Sequence, residues 1–156
     1  MKRLRVTNAT RGRELGDRVM LADWFLPRLR GLIGRPRIQS GEGPMIVPCR
    51  GVHMYLMTYP IDVALMNDEG SVVAMYRDLA PGARTHWHRD AKRALEVPAG
   101  TLAETHTTLG DMVEWNHPGR IEARMPKAAP ARPDAQEQPA RAQQRPVAPT
   151  RRKRSA

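Results

Sequence analysis

Cysteine occurs once in this 156-residue chain, at Cys49, and phenylalanine occurs once. A lone thiol excludes an intramolecular disulfide, so packing must hold the fold together, and nothing argues for an oxidising compartment. No stretch approaches the ~18 apolar residues that a membrane-crossing helix needs. The basic start, MKRLR, leads into no apolar run of the secretory kind. The expectation is a cytoplasmic protein with no membrane span. Also missing are an internal repeat and the strand–helix alternation of Rossmann and TIM folds. There is no G-x-S-x-G elbow and no Walker-type phosphate loop.

Acidic residues are in deficit: 16 Asp+Glu stand against 26 Lys+Arg, a net charge of +10. Residues 1–117 hold 16 basic and 13 acidic side chains, and residues 118–156 hold 10 and 3. That final segment, PGRIEARMPKAAPARPDAQEQPARAQQRPVAPTRRKRSA, has no aromatic residue and few aliphatics. It cannot bury enough apolar surface to offset the entropy of ordering. Composition therefore divides the chain into one domain over 1–117 and a disordered, basic Pro/Ala/Arg-rich tail over 118–156. The cations Arg151, Arg152, Lys153 and Arg154 suit a weak, non-specific and salt-sensitive anionic partner. Arginine makes up 22 of the 26 basic residues, so part of the charge reflects compositional bias.

Within the body, short apolar runs dominate. RLRVTN reads as a strand with Leu4 and Val6 on one face, GRELGD as a turn or an exposed hairpin, and VML as a returning strand. ADWFLPRLRGLIG has helical spacing, with Asp23 as a cap and Gly34 as a stop. PMIVP, VHMYLM, IDVALMN, SVVAMYRDL, KRALEVP and DMVEW read as strands, and NDEG as a tight hairpin turn. IDVALM is apolar on both faces, which predicts a central strand. AGTLAETHTTLG holds one helical turn at most. The fold class is mainly β: an antiparallel barrel or jelly-roll-like sandwich with one short helix.

The segments RLRGLIGR, GEGPMIVPC, VHMYLMTYPIDVALMNDEGSVV, LAPG, ALEVPAGT and LGDMVEW follow one another as in the domain of unknown function 192 family. The chain resembles that family over residues 28–115. The resemblance implies a small β-barrel or jelly-roll-like fold and no known activity. The chain departs from the pattern at Met54, where threonine is usual, and at Ala64–Met66, where the family carries an aromatic residue and an acid. The basic tail is no part of it.

Four residues stand out as candidate ligand-binding positions: Arg35, His53, Asp62 and Glu96. His53 and Asp62 flank the Tyr-Pro turn and offer a base–carboxylate pair. The structural alternative has Asp62 accepting backbone N–H bonds at the turn and His53 half-buried. Glu96 lies in an apolar strand, where a buried carboxylate needs a partner, and Arg35 offers a bidentate match. Cys49, His53, His86 and His88 raise the question of a metal. Seven residues separate His88 from Glu96, whereas a cupin site uses three or four, and neither a metal nor a cofactor is expected. The methionines Met45, Met54, Met57, Met66 and Met75 read as core filling. The function that follows is a non-enzymatic binding or accessory module. One alternative is a hydrolase-like enzyme using His53 and Asp62, and another is a tail-driven binder of nucleic acid or anionic surfaces.

Overall fold

Alternation in RLRVTN places Leu4, Val6 and Asn8 on one side, and in the computed structural model this stretch is strand β1 (Arg3–Asn8), with those three residues buried. Residues 2–23, 36–116 and 136–137 are described. The chain reverses at Ala9–Gly12, where Gly12 takes a φ of 62° and Asn8 Oδ1 accepts the Arg11 N–H at 3.0 Å. It returns as β2 (Arg13–Ala22). GRELGD, expected as a turn or an exposed hairpin, starts at the turn and runs into the second strand of the β1–β2 hairpin. Its glycine and aspartate fall where the ladder shifts from Leu4↔Val19 to Val6↔Gly16, so a bulge absorbs the polar residues and no further reversal is needed.

Strands β3 (Glu42–Ile46), β4 (Ile61–Met66), β5 (Val72–Leu79), β6 (Arg93–Pro98) and β7 (Val113–Asn116) follow. The four-residue helix α1 (Thr101–Glu104) precedes β7, and a two-residue strand, β8 (Gln136–Glu137), comes last. One sheet contains all the strands in the order β7-β1-β2-β3-β6-β4-β5-β8. The helix expected from Asp23 to Gly34 lies outside the described residues beyond Asp23. So does the tail expected to be disordered, apart from Gln136–Glu137, whose backbone pairs with Ala74 and Met75. Neighbouring strands run antiparallel except β2–β3 and β5–β8, which are parallel. The β2–β3 pairing amends the purely antiparallel expectation. Residues 23–41 separate the two strands, long enough for the crossover that parallel pairing requires.

The sheet curls until its two sides meet at one end. Ser71 and Met112 form an antiparallel bridge, Val72 N–H donates to Asp111 O at 2.9 Å, and Val113 N–H donates to Gly70 O at 2.9 Å. The result is a mainly β, curled half-barrel. Every strand from β1 to β7 sends a side chain into the inner core, among them Leu4, Val19, Met45, Met66, Leu95 and Val113. The opposite face carries Ala22, Ile46, Val63, Tyr76 and Ala94, and Ile38, Met54, Met57, Tyr59 and Ala91 cover it from the connections. β4 is buried at all six positions, as its two-sided apolar sequence predicts. All five central methionines are buried, and burial of each such side chain contributes about 1.5–3 kcal/mol. No helix among the described residues is long and apolar enough to cross a membrane.

Candidate functional site

Two connections, one on each side of β4–β5, pair with each other over the second face of the sheet. Thr85 N–H donates to Val52 O at 2.9 Å, Met54 N–H to Ala83 O at 2.7 Å, and His88 N–H to Arg50 O at 2.8 Å. His53 bridges Arg84 in antiparallel register between the first two of these bonds. It is therefore in a non-hydrogen-bonded pair, where side chains on the same side come closest. Alternation turns Val52, Met54 and Ala83 inward onto the core and His53 and Arg84 outward. Tyr55 stacks on His53 with ring centroids 4.9 Å apart. Trp87 lies against Gly51: a Cβ there would be in ordinary contact with the indole, 3.8 Å from Trp87 Cε3.

This ribbon holds every exposed large hydrophobic residue among those described: Tyr55, Leu56 and Trp87 are 49%, 80% and 70% exposed. Leu56 also has a φ of 63° in the turn closed by Met57 N–H and Met54 O. A bulky residue in the left-handed region carries strain of about 1 kcal/mol or more. Neither burial nor backbone preference accounts for leucine at this position. Arg50, Arg84 and Arg89 are exposed on the same ribbon and form no salt bridge among the described residues, in contrast to Arg5, Arg11, Arg18 and Arg93. No acid occurs in residues 49–59 or 83–89. Tyr76 anchors the ribbon beneath: its hydroxyl accepts His86 N–H at 3.1 Å and shares a 2.8 Å hydrogen bond with His88 Nε2. Burial, and then the neighbouring His86, push the His88 pKa below its ordinary value, which favours the neutral form of the ring in the anchor.

The three sequence candidates among the described residues do not converge. His53 is exposed, not half-buried, on the outer face of the ribbon. Asp62 pairs across from Val97 and shares the inner face with Ala64 and Met66, away from the Met54 side. It is fully buried. Its Oδ1 accepts Asp78 N–H and its Oδ2 accepts Leu102 N–H, both at 2.9 Å. Asp62 does accept backbone N–H bonds, but from β5 and α1 and not from the Tyr-Pro turn. Burial raises its pKa, opposed by these bonds. Glu96 stands opposite Val63 and on the Ala94 side of β6, so it faces the layer beneath the ribbon. It is 4% exposed, and no hydrogen bond or ion pair to its carboxyl is found among the described residues. Burial pushes its pKa up to about 7. Arg35, its expected partner, lies outside the described residues.

Two of the residues weighed as metal ligands have other side-chain partners. Cys49 Sγ lies 3.2 Å from Gly51 O, and His88 binds Tyr76. Among the described residues no three His, Cys, Asp or Glu side chains gather in a metal-holding group. Sequence reading missed the ribbon itself. HWH drew attention as imidazoles, yet its indole, set opposite the 50–56 segment, shapes the surface.

The family described as Uncharacterized ACR, DUF192, matches residues 6–115. A UPF0127 protein of Pyrococcus furiosus is 32% identical over 115 residues, covering 70% of this chain and 96% of the relative. A UPF0127 protein of Thermococcus sibiricus is 29% identical over 113 residues, 69% and 72% of the two chains. Among solved structures, a Sinorhizobium meliloti protein described as a "putative transcription regulator" aligns with a TM-score of 0.61 at 25% identity, covering 73% of this chain and 92% of its own. A Novosphingobium aromaticivorans protein of unknown function aligns with a TM-score of 0.63 at 23% identity, covering 72% and 84%. With the family pattern spanning the whole half-barrel from β1 to β7, the chain belongs to the DUF192 family.

Proposed function

We propose that this domain is a non-catalytic binding module that takes an anionic partner on the ribbon of residues 50–56 and 83–89. The observation that carries the reading is the gathering of Tyr55, Leu56 and Trp87, all exposed, with three exposed arginines that form no salt bridge among the described residues; the acid adjoining them in sequence is Asp90, next to Arg89. Exposed aromatic groups set among uncompensated cations mark contact surfaces. The buried polar residues support the same reading, because Asp62 is spent on backbone N–H groups and is not presented to a ligand. The Sinorhizobium meliloti relative's description as a "putative transcription regulator" is compatible with a polyanionic partner. The tail cations Arg151, Arg152, Lys153 and Arg154 add long-range attraction of the same sign.

The test is retention of the full chain on a heparin column along a salt gradient. Arg84→Glu with Arg89→Glu removes the ribbon charge. Arg3→Glu with Arg13→Glu changes net charge equally at exposed positions on β1 and β2. The reading expects the ribbon variant to elute at clearly lower salt than the β1–β2 variant. Equal elution of the two would sink it.

A further inference from the structure

The geometry points to single-stranded nucleic acid as the occupant of this ribbon, with bases stacked on Trp87 and on the His53–Tyr55 pair and phosphates held by Arg50, Arg84 and Arg89. The inference rests on the reading of the ribbon as an anion-binding surface and adds the chemistry of the ligand. Its ground is the order of groups along the strip. Outward-facing positions on a paired segment recur every ~7 Å. Here they present rings and cations in alternation: Tyr55 stacked on His53, Arg84 beside them, then Trp87 over Gly51 at the far end. A linear polyanion with a planar group on each unit matches that alternation. Bases stack on aromatic side chains without regard to sequence, and arginine adds cation–π and phosphate contacts.

Other polyanions use less of the surface. A duplex presents phosphates but keeps its bases stacked internally, which leaves the rings idle. An anionic membrane would engage Leu56 and Tyr55 at the turn, but Trp87 sits at the opposite end of the paired segment, beside Gly51 and not at the turn. Gly51 fits the same close packing: a side chain there would crowd Thr85 Oγ1 and His86 O, both 3.1 Å from its Cβ position, and would touch the indole at 3.8 Å.

The experiment is fluorescence anisotropy of a labelled fifteen-residue thymidine oligonucleotide with the full-length protein. Inorganic polyphosphate, a duplex of equal length and phosphatidylserine-containing vesicles serve as parallel probes. Trp87→Ala is expected to weaken oligonucleotide binding about tenfold, the loss of one stacked base, while polyphosphate binding is unchanged. Trp87→Phe is expected to retain most of the affinity. Arg84→Glu with Arg89→Glu should lower the slope of log affinity against log salt by about 1.4, at about 0.7 per phosphate contact. If Trp87→Ala leaves the oligonucleotide affinity intact while the arginine variant weakens it, the single-strand proposal fails and the anionic surface stands. Vesicles or duplex bound more tightly than the oligonucleotide, with the same dependence on Trp87, would also overturn it. If the arginine variant binds every probe as the parent does, the underlying reading of the ribbon falls with it.

Discussion

Glu96 is a carboxyl held in an apolar layer, and the sign of its effect on stability follows from where its proton goes. In an unfolded chain its pKa is 4.5, and in the folded protein burial raises it to about 7. The folded state therefore binds the proton more tightly. The group's contribution to stability is complete below the unfolded value and is lost as pH rises through about 7. The difference amounts to about 3 kcal/mol between the two limits. Glu96→Gln keeps the shape and removes the ionisation. Urea unfolding should show this variant more stable than the parent at pH 8 and close to it at pH 4. A variant with the same pH dependence as the parent would show that the carboxyl has a compensating partner when ionised.

At the scale of elements, Asp62 ties three pieces of backbone together. It extends from β4, meets Asp78 N–H where β5 bends with a φ of 49° at Asp78, and meets Leu102 N–H in α1. The β4–β5 register shifts between Ile61 and Val63, so the bend and the carboxylate belong to one device. Asp62→Ala leaves two N–H groups without their acceptor, at about 2–4 kcal/mol in total. Hydrogen exchange should show lost protection at the Asp78 and Leu102 amides, ahead of any loss in the centre of β4. The sequence made β4 legible because five of its six positions are apolar and fall on both faces, which suits a strand buried on both sides, and NDEG closes its hairpin locally. It left the parallel β2–β3 pair unread, because strand direction depends on a crossover and not on any pattern inside either strand. The ribbon escaped for a related reason: His53 and Arg84 meet across the whole β4–β5 hairpin, and although VHMYLM alternates, its partner segment ARTHWHR has no apolar period to announce a pairing. The candidate residues were chosen by chemical type, which identified Asp62 and Glu96 as unusual but could not say which face of the sheet each would occupy.

The whole molecule depends on joining the first strand to the closing strand of the half-barrel, since β1 pairs with β7 from Arg5↔Asn116 to Asn8↔Val113. Side chains lock that seam. Asn8 Nδ2 donates to Asp111 Oδ2 at 2.9 Å and to Thr107 Oγ1 at 3.0 Å, and Arg11 Nε reaches the same Asp111 oxygen at 3.0 Å. Asp111 also accepts the Thr108 N–H, while its own backbone carbonyl takes the Val72 N–H. One residue thus serves both the β1–β7 seam and the closure of the curl onto β5. Burial alone would raise the Asp111 pKa, but the bonds from Arg11, Asn8 and Thr108 hold it below its ordinary 3.8. The folded state therefore releases this proton more readily. The resulting stability is present above the ordinary value and is lost as pH falls through the folded one. Asn8→Ala and Asp111→Ala act on one network, so their effects should not add: a double-mutant cycle should give a coupling of about 1–2 kcal/mol at pH 7. The coupling should shrink on acidification, because the neutral acid is a weaker acceptor for Asn8 and Arg11. Additive losses at both pH values would mean that the backbone ladder alone holds the two ends of the half-barrel together.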